Sequence, residues 1–158
     1  MFTPQIESVL VKMAELEKAV SRLYELYAKR FPSHEGMWTA LSKEETEHAT
    51  WICKLTEHAR QGKLDVDPNR FKAEAVQMVL DSLARHSDQA ETGNPSLLSC
   101  LSIAVNLENA LLEKDVFKIF ESDSAEMKDV LNRLAGATGN HQRTIKQAWL
   151  AAKENGHA

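Results

Sequence analysis

Apolar residues recur at intervals of three and four along most of this chain, the spacing that places them on one side of an α-helix. Glycine and proline are few and stand between these stretches, where they mark helix ends. Four long helices are predicted: Pro4 to about Phe31, about Ser33 to Gly62, Asn94 to about Ser122, and Asp123 to about Lys153. No stretch alternates apolar and polar residues with the period of two that is typical of a β-strand.

The connections between the predicted helices indicate how the helices pack. The first two long helices are joined by a short turn, and so are the last two, whereas about thirty residues separate the two pairs. Within that separation, a loop at 63–69 precedes a shorter amphipathic helix with Phe71, Ala75, Val79 and Leu83 on its apolar face. The predicted fold is an all-α four-helix bundle of two antiparallel hairpins joined by a long crossover, and the 158 residues form a single domain.

Individual residues also indicate where helices begin and where one of them could be interrupted. Capping or first-turn pairs are predicted at Thr3 with Pro4, at Asn94 with Pro95, and at Asp123 with Glu126. Gly136 and Gly139 lie inside the fourth long helix, where each glycine costs roughly 1 kcal/mol relative to alanine. They leave open whether that helix is continuous or broken beside Thr138.

Each long helix carries an ionisable residue on its otherwise apolar side. These residues are Glu17 on the first helix, Glu45 and His48 on the second, Glu108 on the third and His141 on the fourth. An ionised carboxylate is costly to bury unless a cation, hydrogen bonds or protonation compensates. No lysine or arginine lies near them on these sides of the helices, so a metal cation bound by all five is the economical explanation. This mixture of carboxylate and imidazole ligands suits iron or manganese.

The spacing of these residues suggests that the chain has two related halves. Glu17 and His48 are 31 residues apart, and Glu108 and His141 are 33 residues apart. Each glutamate is therefore expected to meet the histidine of its hairpin partner at a similar depth in the bundle. Neighbouring polar residues receive ordinary interpretations: Glu44 and Glu47 as solvated charges, and Tyr24 and Tyr27 as core aromatics.

Three segments resemble the helices of rubrerythrins, which are ferritin-like four-helix bundles with a di-iron carboxylate site. LEKAVSRLYELYAKRF resembles their first helix, MWTALSKEETEHATWICKL their second and NLENALLEKDVFKIF their third. The resemblance covers nearly the whole chain, and its specificity depends mainly on EETEHA, which contains Glu45 and His48. It implies one or two iron ions that react with dioxygen or peroxide, as in an oxidoreductase of the oxidase or peroxidase type, and it implies a homodimer.

The chain departs from the rubrerythrin pattern at three points. Thr138 stands where the family has a glutamate before His141, and Leu111 stands where the family has a second glutamate on the third helix. Asp115 cannot substitute, because it lies about 10 Å along the helix axis from Glu108 at about 1.5 Å per residue. No rubredoxin domain is present, so an electron donor would be a separate protein. Two alternatives follow: His141 as a core histidine bonded to Thr138 or Glu108, and a non-catalytic bundle that binds one metal ion or none.

Composition adds few constraints on function. The chain has 23 acidic and 19 basic residues and a net charge of −4, without the basic block that nucleic acid or an anionic membrane would require. No signal-like N-terminus or run of 18 apolar residues occurs, so a soluble, cytoplasmic protein is expected. Cys53 and Cys100 lack the paired spacing of zinc or rubredoxin sites and are interpreted as buried thiols.

Overall fold

The computed structural model describes residues 2–67, 72–114, 119–122 and 124–156, without the side chains of residues 111–114, 126, 134 and 138. Within these ranges the chain is mostly helical, which confirms the all-α prediction. The helices are α1 (Pro4–Arg30), α2 (Glu35–Arg60), α3 (Ala73–Thr92), α4 (Leu97–Lys114) and α5 (Ala125–Glu154), and a 3₁₀ turn at Pro32–His34 lies between α1 and α2.

The residues that cap the helix N-termini agree with the predictions at one helix and differ at others. Thr3 caps α1, because its Oγ1 accepts a hydrogen bond from the Ile6 amide at 3.3 Å. Ser96, rather than the predicted Asn94, caps α4 through a 3.2 Å bond from the Ser99 amide. Ser124 caps α5. The predicted pair of Asp123 with the Glu126 side chain lies outside the described residues.

The crossover between the two helix pairs differs in part from its prediction. Helix α3 extends to Thr92, packs against α1 and buries Val76, Leu83 and Ala90, while Val79 is partly buried. Phe71 lies outside the described residues.

A short antiparallel ribbon joins the connection between α2 and α3 to the connection between α4 and α5. Strand β1 (Asp65–Val66) pairs with β2 (Phe120–Glu121), with Val66 opposite Phe120. The predicted extension of the third long helix to Ser122 is therefore wrong. Strands of two residues are too short to show an alternating pattern.

Helix α5 is continuous through Gly136 and Gly139, which answers the question that the sequence left open. A Cβ atom at either glycine would meet no atom within 4 Å. Hydrogen bonds from Trp149 to Ser102 and from Gln142 to Asn109 join α5 to α4. These two helices thus pack as a pair, as α1 and α2 do.

The two cysteines differ in their exposure. Cys100 is buried as predicted, whereas the prediction for Cys53 is wrong because this residue is exposed on α2. Among the described helices, none combines the length and the apolar character needed to cross a membrane.

Candidate metal centre

Four helices contribute five ionisable side chains to one buried cluster. Its members are Glu17 from α1, Glu45 and His48 from α2, Glu108 from α4 and His141 from α5, and each is at most 4% exposed. The side chains face the interior because each lies at a core position of its helix, three or four residues from apolar neighbours. The structure brings together all five residues that the sequence singled out.

The Glu45 carboxylate lies between two imidazole rings. Its Oε1 accepts a hydrogen bond from His141 Nδ1 at 2.8 Å, and its Oε2 lies 3.1 Å from His48 Nδ1. The two rings stack with their centroids 5.2 Å apart and an angle of 26° between their planes. Glu45 therefore connects both histidines and links α2 to α5.

The other two carboxylates have unused hydrogen-bonding capacity. The Tyr24 hydroxyl donates to Glu108 Oε1 at 2.7 Å, while Glu108 Oε2 lies 4.0 Å from His141 Nδ1. Among the described residues, neither Glu108 Oε2 nor Glu17 Oε2 has a hydrogen-bond partner, although both atoms are buried. A buried carboxylate oxygen without a donor is unfavourable, and a bound cation would compensate for it.

The three carboxylates differ in the direction of their pKa shifts: the pKa values of Glu17 and Glu108 are raised, and that of Glu45 is lowered. Burial raises the pKa of Glu17 well above its usual range, and the nearby Glu45 and Glu108 raise it further. Burial and the charge of Glu45 raise the pKa of Glu108 to about 8. Burial alone would also raise the pKa of Glu45, but hydrogen bonds from His141 and His48 lower it to about 2. At neutral pH, Glu45 is therefore ionised while Glu108 mostly holds a proton, and the pKa of Glu17 is shifted in the same direction as that of Glu108.

His141 carries the compensating positive charge. Burial disfavours its charged form, yet the hydrogen bond with Glu45 and the charges of Glu45 and Glu108 raise the pKa of His141 to about 9. With both ring nitrogens protonated, both can donate hydrogen bonds.

Glu44 is a contact that the sequence analysis missed. Its carboxylate lies 2.5 Å from His141 Nε2, so the interpretation of Glu44 as a purely solvated charge is wrong, although its side chain is 48% exposed. Adjacent helical residues point in different directions, so helical spacing gave no signal for this contact. By holding Nε2, Glu44 fixes Nδ1 toward Glu45, as carboxylates do for many metal-binding histidines.

Tyr24 is buried as predicted for a core aromatic, but it also donates to the cluster. Its position seven residues after Glu17, on the same side of α1, was the available signal. The alternative in which His141 bonds to Glu108 is not observed, because its nitrogens contact Glu45 and Glu44 instead. The side chains of Thr138 and Leu111 and all of Asp115 lie outside the described residues.

The donor set fits a metal ion. Glu45, His48 and His141 are all buried and each offers a ligand atom, with these atoms within 4.8 Å of one another. One carboxylate with two imidazoles is a common ligand set for non-haem ferrous iron. In comparisons with known proteins, no family model, curated protein or solved structure matches this chain. The ligand roles of the five residues, and the resemblance to rubrerythrins, stay predictions.

Proposed function

We propose that this chain is an iron-binding, rubrerythrin-like protein in which α1, α2, α4 and α5 form a ferritin-like four-helix bundle around the metal site. The observation that carries the proposal is the position of Glu45 between His48 and His141, with two further carboxylates in the same buried cluster. A purely structural core would not need three glutamates and two histidines at these positions.

The cluster supplies suitable ligands for a first ion and partial ligands for a second. Glu45, His48 and His141 would hold the first ion. Glu17 and Glu108 add the carboxylate oxygens that have no hydrogen-bond donor among the described residues. Thr138 contributes no charge in place of the usual fourth glutamate, so the affinity for a second ion is reduced. Manganese would fit the same ligands.

The surrounding residues prepare the site for chemistry with dioxygen or peroxide. Ferrous iron held by these residues would supply electrons to such a substrate. The Tyr24 hydroxyl orients Glu108, Glu44 orients His141, and the near-complete burial of the cluster excludes bulk water. We further propose a homodimer, as the resemblance implies, and an electron donor, because oxidised iron must be reduced again after each reaction.

Anaerobic loading tests metal binding directly. The purified chain is incubated with ferrous ion, desalted and analysed for metal, and we expect about one to two ions per chain. Glu45→Ala should reduce the content strongly, whereas Glu47→Ala, on the exposed side of the same helix, should not. Fewer than about 0.3 ions per parent chain would contradict the proposal. In the loaded chain, ferrous iron should be oxidised by dioxygen or peroxide faster than free ferrous ion is.

The second candidate function is a non-catalytic bundle that binds one ion or none, with a structural or partner-binding role. It is favoured by the compact Glu45, His48 and His141 set together with the threonine at position 138. In that case Thr138→Glu should raise the measured stoichiometry from one ion toward two. A stoichiometry of two in the parent chain would reject this candidate.

A further inference from the structure

The buried cluster meets solvent at Glu44. The five proposed ligand residues are at most 4% exposed, whereas the Glu44 side chain is 48% exposed. Among the contacts described for the cluster, the contact of Glu44 Oε2 with His141 Nε2 at 2.5 Å is the one made by an exposed side chain. His141 thus stands between an exposed carboxylate at Nε2 and a buried carboxylate at Nδ1.

We propose that Glu44 is the uptake ligand, meaning the side chain that first binds a divalent metal ion from solvent and transfers it to His141 and Glu45. This inference rests on the proposed metal-binding function and assigns a route to that site. Glu44 and Glu45 are consecutive residues, and both contact the same imidazole ring. An ion released by Glu44 is therefore separated from Glu45 by a single side chain.

Desolvation explains why an exposed first ligand matters. A divalent ion holds its water strongly, and a wholly buried ligand set offers nothing to replace those waters until the ion has entered. A half-exposed carboxylate can bind the ion while the ion keeps most of its hydration shell. Exposed side chains also change rotamer on the picosecond to nanosecond timescale, so Glu44 can leave His141 without movement of the backbone.

A purely positioning role for Glu44 predicts different kinetics. If Glu44 only orients His141, its removal weakens the completed site and raises the dissociation rate constant, while the association rate constant stays the same. If Glu44 is the uptake ligand, association slows instead. Measuring both rate constants therefore separates the two roles.

Stopped-flow mixing with Co²⁺ provides the test, because the absorbance of bound Co²⁺ reports binding without redox chemistry. For Glu44→Gln we expect association to slow about tenfold at low ionic strength, with a weaker dependence on salt than in the parent chain. Glu47→Gln is the matched control, since it removes the same charge from an exposed position on the same helix. Glu44→Asp keeps the charge and should recover part of the rate.

Each outcome decides the inference. Slowed association in Glu44→Gln but not in Glu47→Gln supports it. Equal association rate constants in the two variants, or a change confined to dissociation, would overturn it and leave Glu44 as a positioning residue. Failure of the parent chain to bind either Co²⁺ or ferrous ion would instead refute the proposed function itself.

Discussion

At the scale of single residues, two tyrosines on α1 show how similar side chains can have different roles. Tyr24 and Tyr27 are both buried, and the ring of each contacts Trp38. Tyr24 donates a hydrogen bond to Glu108, whereas the Tyr27 hydroxyl lies beside the buried Cys100 thiol, and burial together with this thiol raises the pKa of Tyr27. Only the first tyrosine supports the candidate metal centre.

This difference gives a matched pair of substitutions. Tyr24→Phe should weaken metal binding by about tenfold, because residues that orient a ligand typically contribute at this level. Tyr27→Phe should leave metal affinity unchanged and should change stability little, since the thiol of Cys100 beside it is only a weak hydrogen-bonding group. Calorimetric titration with Co²⁺ and thermal unfolding measure the two effects. Equal losses of affinity in both variants would show that Tyr24 acts only through packing.

Residue types and helical spacing predicted most of the candidate site, because residues three or four apart in sequence lie on the same side of a helix. Glu17, Glu45, Glu108 and the two histidines could be found this way. The contact of Glu44 could not, since it depends on the side-chain conformation of a residue that faces partly outward. The charge state could not be predicted either, because it depends on which carboxylate lies between the two imidazoles.

At the scale of elements, α5 combines a functional residue with two positions of low helix propensity. Gly136 and Gly139 precede His141, and open space surrounds both. Propensity alone left the continuity of this helix undecided, and the structure shows an unbroken helix that packs against α4.

The N-cap of α4 was equally hard to predict from sequence. Asn94 and Ser96 are both good capping residues and lie two positions apart, and in the structure Ser96 is the cap.

Alanine substitutions should therefore stabilise α5. Gly136→Ala and Gly139→Ala should each increase the free energy of unfolding by about 1 kcal/mol, because alanine favours the helix and its Cβ meets no atom. Gly93→Ala is the contrasting control: its Cβ would lie 2.7 Å from the Gln89 carbonyl oxygen, so stability should fall. Urea unfolding of the three variants provides the measurement. Loss of stability at 136 or 139 would contradict the open space found there.

At the scale of the whole molecule, protonation couples the candidate site to folding. His141 has an ordinary pKa of 6.5 that rises to about 9 in the fold, and Glu108 has an ordinary pKa of 4.5 that rises to about 8. For each group, at a pH between its ordinary pKa and its raised pKa, the folded chain binds more protons than the unfolded chain. Their stabilising effect is complete below the unfolded pKa values and is lost as the pH rises through the folded values.

The metal-free chain should thus become less stable between pH 6 and pH 9. We expect the midpoint of thermal unfolding, measured with a chelator present, to fall by several degrees across this range. Metal affinity should change in the opposite direction, because the ligands must lose protons to bind the ion. The stabilisation caused by added Co²⁺ should therefore increase with pH. A metal effect that is independent of pH would show that these groups are not the ligands.

The hydrogen bonds of His141 with Glu44 and Glu45 join α5 to α2 through protein atoms alone. In small zinc domains the ion is a condition for folding, so that a chelator denatures them. Here the imidazolium ring already provides the attraction across the interior. We therefore expect the polypeptide to fold before it binds metal and to stay folded when the ion dissociates and binds again. The amount of bound metal would then follow the concentration of free metal.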